Sequence, residues 1–584
     1  MNYHPPLQTR PRVKRLTIYN YRSIGEDGVN IQFPHNAPLV LIGENNAGKS
    51  NILRALSLIL GETWAGNYMP EDHECFGRSP EGLTIWIRVE VAGVFCPYGC
   101  GTTVDSITLK YAKGDSRPCE YTIRTSGCAH TWMSNELKSQ IACMLIGTER
   151  DLTYQLSYNS KWTYLSKLMR RFHSQLTDDE SRVQKLKQFY SGLVETFYEV
   201  PEFSKFAESL KESSSRFGGN LPYGLDIDFS AYDASNFFRS LRLFPHIDGE
   251  ARSFEELGTG QAQILAIAFS HAYAQAFGSS GLILAIEEPE AHLHPLAQAW
   301  VSQKLMELTQ SGTQVILTTH SPSFIDLSSP ETLVVVRKEA EGQATQITQL
   351  TPSGLVQKLV STGVPVERVD NLNVGPFYES SSTNDIKEGM FARACVLVEG
   401  ATERFGLPEL LKRVGTDLAR LGVALLPVEG ISNIAKWHRF FEAHGYRVYP
   451  IFDSDSDKGG SKQREAERAR KDIFLALGLS SENDWNDYTQ GPVGIHDRFT
   501  IFDANYESAL GQLFGPHYSG LEDEAKRRFG PSKSLAARYV AQHLPSAEED
   551  PSTDDGWTHI KRIAGQIEQF VSTPLGSEIV LTNQ

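Results

Sequence analysis

Gly43-Glu44-Asn45-Asn46-Ala47-Gly48-Lys49-Ser50 fits the pattern G-x-x-x-x-G-K-[ST]. An apolar run, Ala37–Ile42, precedes it. A helical pattern runs on from about Lys49 to Leu60, with Ile52, Leu53, Leu56 and Leu60 on one face. Strand, glycine turn and helix, in that order, bring backbone N–H groups to a helix N-terminus where phosphates bind. Lys49 would reach the β- and γ-phosphates, the Ser50 hydroxyl would ligate Mg²⁺, and Gly43, Asn45, Asn46 and Gly48 would complete the cradle. The competing explanation is a glycine-rich structural turn.

Three further segments suit the same chemistry. Leu282–Glu290 (LILAIEEPE) is an apolar strand ending in carboxylates. Glu287 suits an Mg²⁺ beside the phosphate loop, where Asp is more usual. Glu288 can polarise an attacking water as general base. His320, after the strand Gln314–Thr318, suits a γ-phosphate sensor, although a lone His is more often a plain surface or core residue. Leu257-Gly258-Thr259-Gly260-Gln261 opens a small-residue helix, Gln261–Phe277. There Thr259, Gly260 and Gln261 offer a second phosphate site at a helix N-terminus.

A second group of acids is independent of these. Val396–Glu403 (VLVEGATE) is a buried strand whose end carries Glu399, a glycine and then Glu403 at a helix start. Tyr449–Asp457 (YPIFDSDSD) is another strand ending in alternating acids, and alternation puts Asp453 and Asp455 on one side of an extended chain. Parallel strands ending together would gather these four carboxylates at one sheet edge. They would repel there unless cations neutralised them. Oxygen ligands suit Mg²⁺ or Mn²⁺, and two ions about 4 Å apart can clamp a phosphodiester. The alternative is two unrelated acidic strand ends. Asp457 is readable either as a ligand or as a solvated loop acid.

Together the first four segments resemble the ABC-type ATPase head of the RecF, SMC and OLD branch. Gly43–Ser50 stands as its Walker A, Leu257–Gln261 as its signature (GTG where transporters have SGG), Glu287 and Glu288 as Walker B with its catalytic Glu, Glu290–Pro295 as the D-loop and His320 as the switch His. The EEPE-x-HLHP form is typical of the OLD and RecF branch. The E-G-x-x-E and D-x-D pair resembles the Toprim domain of topoisomerases, primases and OLD nucleases, with Gly430 where that domain has a Gly after its second strand. An ABC head followed by Toprim is the architecture of the OLD (overcoming lysogenization defect) family, which includes the Gabija defence nuclease subunit.

That resemblance implies ATP and Mg²⁺ (or Mn²⁺ or Ca²⁺) as cofactors, DNA as substrate, and heads that sandwich ATP in a homodimer or tetramer. It is compatible with an operon partner such as a helicase or retron component, which the sequence itself does not give. It implies metal-dependent cutting of DNA, in bacterial or prophage-borne defence against phage. It makes Glu507, in Phe502–Leu510, an additional metal ligand, and Lys533, in Pro531–Ala536, a residue stabilising charge on the scissile phosphate. The rival is a RecF-like DNA-binding clamp with an inert Toprim fold. The four intact carboxylates speak against it.

The elements that must position these residues have a strand–helix–strand rhythm, which predicts largely parallel sheets. The expected fold class is α/β, an ABC/RecF-like P-loop ATPase with a helical insertion, followed by a smaller Toprim α/β domain. Expected divisions are 1–160 and 236–350 for the ATPase, 161–235 for a helical, dimer-forming insertion, 351–388 for a linker rich in Gly, Pro, Ser and Asn, and 389–584 for Toprim.

The 584 residues carry 56 Lys and Arg against 71 Asp and Glu, a net −15 that argues against a globally basic nucleic-acid surface. DNA would then be held by local basic stretches, Lys462–Lys471 (KQREAERARK) first and Lys167–Arg171 second. No apolar run reaches the ~20 residues that span a bilayer, and the N-terminus lacks a signal-peptide core. Seven cysteines, an odd number, argue against a secreted disulfide scaffold, so a cytoplasmic protein is expected. Cys96, Cys100, Cys119 and Cys128, with His130 close by, could hold a structural Zn²⁺; buried cysteines in a β-hairpin explain them equally well.

Overall fold

The computed structural model describes residues 10–96, 102–127, 131–147, 281–338, 344–480, 485–489 and 491–573 apart from 62, 80 and 116, together with 172, 178–217 and short stretches between 246 and 272. The chain divides into two compact units, one of 1–147 with 277–584 and one of 148–276.

The larger unit holds three sheets. The first is antiparallel, in the order β2 (Val29–Gln32), β1 (Arg12–Tyr19), β4 (Thr84–Ala92), β5 (Val104–Ala112), β6 (Cys119–Thr125). In β4 buried and half-buried residues alternate, as a sheet with one covered face requires. The second has the order β13 (Gln346–Gln349), β12 (Leu333–Arg337), β3 (Leu39–Ile42), β11 (Gln314–Thr318), β10 (Gly281–Glu287), β7 (Ile141–Ile146). It is parallel except at β12–β13. All four residues of β3 and all seven of β10 are buried, the mark of parallel strands covered on both faces.

The helix Lys49–Leu60 runs between these two sheets and touches β1, β4 and β5 on one side and β7, β10 and β11 on the other. Its burial is therefore not confined to one face. Ala55 and Ile59 are as fully buried as Ile52, Leu53, Leu56 and Leu60. A cavity left by Leu56→Ala in such a layer would cost about 2–5 kcal/mol. The helix is thereby fixed, and with it the loop at its N-terminus.

The third sheet has the order β15 (Val423–Pro427), β14 (Ala394–Val398), β16 (Arg447–Asp453), β18 (Thr500–Phe502), β17 (Val493–Ile495), parallel except at β17–β18. Its core gathers Leu407, Leu410, Tyr449, Phe502, Tyr506 and Trp557. The helices Ala401–Arg413 and Lys533–His543 pack against each other beside it.

The stretch expected as a linker, 351–388, is ordered. It forms helices Pro352–Ser361, Val374–Glu379 and Asn384–Gly389. Thr351 and Thr383 accept hydrogen bonds from the amides of Gly354 and Ile386 and so cap two of them. Leu355, Leu359, Tyr378 and Ile386 are buried, and Tyr378 packs on Trp437 and Phe440 with ring centroids 5.5 and 4.7 Å apart. Lys358 donates to the carbonyl of Ala443 (2.6 Å) and Lys387 to that of Ile325 (3.0 Å), so this stretch is bonded to both the ATPase part and the C-terminal sheet.

In the smaller unit the described helices are Glu180–Tyr198 and Pro201–Phe217, which contact each other. Among the described residues no helix is long and apolar enough to cross a membrane.

Candidate functional site

The phosphate loop takes the form its residues predict. Gly43 (φ 139°), Asn46 (φ 63°) and Gly48 (φ 109°) lie at positive φ. A Cβ on Gly43 would stand 2.0 Å from the Val336 carbonyl oxygen, and one on Gly48 2.3 Å from Thr345 Oγ1, so both glycines are required for space as well as for φ. Lys49 Nζ donates to the carbonyls of Gly43 (2.7 Å) and Glu44 (2.9 Å), which pre-positions it along the loop. Burial pushes its pKa down to about 8, against the pull of Glu288, Glu290 and Glu44. Ser50 comes next, half-buried, in the first turn of the helix.

Sequence reading missed the floor of this loop. Thr345 Oγ1 donates to the Ala47 carbonyl (2.8 Å) and meets Ser23 Oγ at 2.7 Å, while Asn51 donates to Ser23 Oγ (2.8 Å). Ser23 and Thr345 are both distant in sequence from Gly43–Ser50, and neither type carries a motif.

Glu287 ends β10 and is buried, paired in register with Thr318 of β11. Glu288 turns away in the left-handed region (φ 45°), its amide donating to the Thr318 carbonyl at 3.0 Å. A non-glycine residue at that φ costs of order 1 kcal/mol or more, and such strain clusters at active sites. Glu290, expected only as part of the D-loop, has a further role. Its Oε1 accepts the His320 amide at 2.5 Å, which fixes the tip of β11. Burial lowers the His320 pKa, and Lys49 lowers it further. The His320 ring lies 6.1 Å from that of Phe391, just ahead of β14. Of the signature, Leu257, Gly258 and Thr259 lie outside the described residues; Gly260 and Gln261 are helical, in the smaller unit.

The acids of the third sheet meet at the carboxyl ends of β14 and β16. Asp453 donates its amide to Glu399 Oε1 (2.8 Å). Glu403 reaches back so that Oε2 accepts the Gly400 amide at 3.0 Å. Gly400 itself is extended (φ −160°), so the approach comes from the helix start rather than from a left-handed turn. Gly430 is left-handed (φ 112°) and donates its amide to the Glu399 carbonyl at 2.8 Å.

Asp455 departs from the expected strand alternation. The strand ends at Asp453, and Asp455 sits at φ 53° with its amide on the Ala504 carbonyl (2.8 Å). Asp453 and Asp455 are both buried, through a turn rather than a shared strand face. Ser454, between them and fully buried, donates its amide to Phe502 and accepts the Ala504 amide on Oγ (2.9 Å). Lys458 pairs with Asp455 at 2.6 Å. Glu507 and Lys533 stand 3.3 Å apart, Lys533 well exposed. Asp457 is exposed.

Burial raises the Glu399 pKa to about 7, and the charges of Asp455 and Glu403 add to the rise. Burial also raises Glu403, and raises Asp453 well above the usual carboxylate range, with Glu399 the next cause. Asp453 Oδ1 is buried and accepts no hydrogen bond. Hard oxygen donors, mutually repelling and partly unsatisfied, are what a divalent cation relieves. Among the described residues no three acid, His or Cys side chains already form a closed ligand shell; the carboxylates share an edge without converging on a point.

Arg470 corrects one expectation. It falls in the basic stretch assigned to DNA, yet it is buried, and its Nη1 donates to the Ser454 carbonyl. Lys462, Arg464, Arg468 and Lys471 of the same helix, Ser461–Ala476, are exposed. Lys167–Arg171 lies outside the described residues.

The four-cysteine zinc set does not hold as one site. Cys96 donates its amide to the carbonyl of Thr102, just ahead of β5, whereas Cys119 pairs with Tyr111 near its end. Some eight residues of strand separate them, about 27 Å. Cys119 Sγ instead bonds the Ala65 carbonyl at 3.3 Å. Cys100, Cys128 and His130 lie outside the described residues.

Comparison with known families matches residues 103–325 to the AAA ATPase domain and residues 390–455 to the domain described as "Overcoming lysogenization defect protein-like, TOPRIM domain". The second match spans β14 to Asp455, the stretch that carries four of the five acids. An OLD nuclease of Thermus scotoductus is 24% identical over 524 residues, covering 85% of this chain and 92% of that protein. The chain is thus similar to OLD nucleases across most of its length. The Old nuclease of Escherichia phage P2 is 27% identical over 177 residues, 30% of this chain and 28% of that one. A solved Smc head domain from Pyrococcus furiosus aligns at 15% identity and a TM-score of 0.35, over 60% of this chain and 99% of that one. An ATPase domain joined to a Toprim domain implies use of a nucleotide and of divalent metal.

Proposed function

We propose that this chain is a member of the OLD family, an ATP-binding and ATP-hydrolysing, divalent-metal-dependent DNA endonuclease acting in the cytoplasm in defence against phage. The observation that carries the proposal is the meeting of Glu399 and Asp453 at the ends of neighbouring parallel strands, with Glu403, Asp455 and Glu507 around them. The relatives named as nucleases, one matching across most of the chain, support the same activity.

Glu399, Glu403, Asp453, Asp455 and Glu507 would hold Mg²⁺ or Mn²⁺, which when bound supply an activated water and a clamp for the phosphodiester oxygens. Lys533, exposed beside Glu507, would neutralise charge growing on the scissile phosphate. The exposed Lys462, Arg464, Arg468 and Lys471 would track the DNA backbone, a contact weakened by salt. At the other site Gly43–Ser50 would cradle ATP, Glu287 would share its Mg²⁺ with Ser50, Glu288 would act as general base and His320 would sense the γ-phosphate. Gly260 and Gln261 would complete this site in a second copy, which makes the active form a homodimer or tetramer.

The test is plasmid cleavage with Mg²⁺ or Mn²⁺, with and without ATP, comparing the wild type with Glu399→Ala and Lys49→Ala. Cutting lost in Glu399→Ala, with ATP hydrolysis kept, supports the nuclease. Lys49→Ala then gives the sign of ATP control. A wild type that binds DNA and hydrolyses ATP yet cuts nothing with either metal would refute the proposal in favour of a DNA-binding clamp.

A further inference from the structure

A small cavity of about 40 Å³ lies where the phosphate loop meets the Toprim sheet. Gly43 and Glu44 form one wall, Arg337 and Lys338 at the end of β12 another, and Arg393 and Tyr446 at the feet of β14 and β16 the third. At about 10–15 Å³ per water-sized group it has room for some three such groups, too few for a nucleotide and about right for one tetrahedral oxyanion.

Its charge is lopsided. Arg337, Lys338 and Arg393 face it with Arg447 beside them, against Glu44 alone. No carboxylate among the described residues comes within ion-pair distance of Arg337, Lys338 or Arg393. Arg447 is turned to the carbonyls of Phe570 and Val571. Arg337 is held in place from behind: Nη1 donates to the His444 carbonyl (3.0 Å) and the guanidinium lies 4.0 Å over the Tyr446 ring. Gly445 admits it, since a Cβ there would stand 2.5 Å from Nη1. Nη2 of Arg337 is buried without an acceptor in good geometry; the Tyr446 side chain, which favours its charged form, already donates its hydroxyl to the Met390 carbonyl. Burial also lowers the Arg337 pKa. A buried guanidinium N–H without an acceptor, flanked by two more cations, is costly unless an anion completes it. Arginine's fixed fork matches phosphate oxygens in particular.

We propose that this cavity is a second anion site, separate from the phosphate loop, that binds a single phosphate-type oxyanion between Arg337, Lys338 and Arg393. Its wall at Gly43 and Glu44 is the backbone whose carbonyls hold Lys49, so an occupant touches the nucleotide loop from outside.

The test uses the full chain with saturating ADP and Mg²⁺, so that the phosphate loop is already filled. Melting temperature is tracked against inorganic phosphate, against a 5′-phosphorylated dinucleotide, and against chloride at equal ionic strength. The expected result is a saturable rise with phosphate beyond that with chloride, and at least a tenfold loss of apparent affinity in Lys338→Ala/Arg393→Ala. Both replaced side chains lie at the surface or half-buried, and ATP hydrolysis by the variant reports its folding. A stronger response to the dinucleotide would assign the oxyanion to a nucleic-acid end, and a stronger response to inorganic phosphate to the free ion. No rise beyond chloride with either, or a rise unchanged in the variant, would overturn the site.

Discussion

Replacing Arg470 with methionine should loosen the acidic centre without touching any of its acids. Methionine keeps most of the packing volume in the buried helix face but removes the donor to the Ser454 carbonyl. A buried carbonyl left without its partner costs about 1–3 kcal/mol. Ser454 is the residue between Asp453 and Asp455, and Asp455 is held in the left-handed region at φ 53°. The cost should therefore be felt at these two acids. Loss of a residue supporting metal ligands typically weakens metal binding or activity by about 10- to 100-fold. The assay is the Mn²⁺ concentration giving half-maximal plasmid cleavage, read with the ATPase rate and melting temperature of the same preparation. The midpoint should rise at least tenfold in Arg470→Met with ATP hydrolysis unchanged, and Arg470→Lys, which retains one donor, should recover part of it. Arg468→Met, exposed on the same helix, should leave the midpoint alone and weaken DNA binding instead. A lower melting temperature with a wild-type Mn²⁺ midpoint would make Arg470 a structural residue only and refute the reasoning.

Asp453→Asn should abolish cutting while raising the melting temperature of the metal-free protein, because it removes a buried charge that Glu399 and Glu403 repel; a fall in melting temperature would count against the proposed repulsion. For Lys49 the folded pKa, about 8, is below the usual lysine value, so the metal- and nucleotide-free fold favours the neutral amine. Stability contributed by this group is therefore lost as pH falls from about 10.5 through 8, and ATP, which favours the charged amine, should bind up to about tenfold more weakly per pH unit above 8. Titration by calorimetry at pH 7.5, 8.5 and 9.5 checks this, with Lys49→Arg expected to flatten the profile. Thr345→Val should lower stability by about 1–2 kcal/mol in denaturant melts and raise the KM for ATP, since Ala47 in the loop loses its donor.

The positions of the candidate residues were legible because parallel strands announce themselves. β3, β10 and β14 are short, almost wholly apolar and wholly buried, and the candidate residues stand at or just past the carboxyl end of each. Gly43–Ser50, Glu287 and Glu399 could be placed from that alone. Supporting residues were not. Ser23 and Thr345 floor the loop across a sequence separation of 322 residues, with no local pattern. Arg470 looked like its exposed neighbours Arg468 and Lys471, because composition does not tell which face of a basic helix is covered. Asp455 was assigned by strand period, and a left-handed residue breaks that period. Thr351 and Thr383 gave no helix signal in the expected linker because residues that cap helices are also residues that populate loops.

The three helices of 352–389 have a consequence for how such proteins are recombined. Composition invites a cut there, yet a crossover within them would uncover Leu355, Leu359, Tyr378 and Ile386 and sever Lys358 and Lys387 from their carbonyl partners. ATPase and Toprim halves of different parentage would have to re-evolve that seam before either folded well. The two chemistries should accordingly travel through evolution as one cassette, and exchange of parts should be tolerated instead in the helices Glu180–Tyr198 and Pro201–Phe217 of the smaller unit, ahead of Gly260 and Gln261.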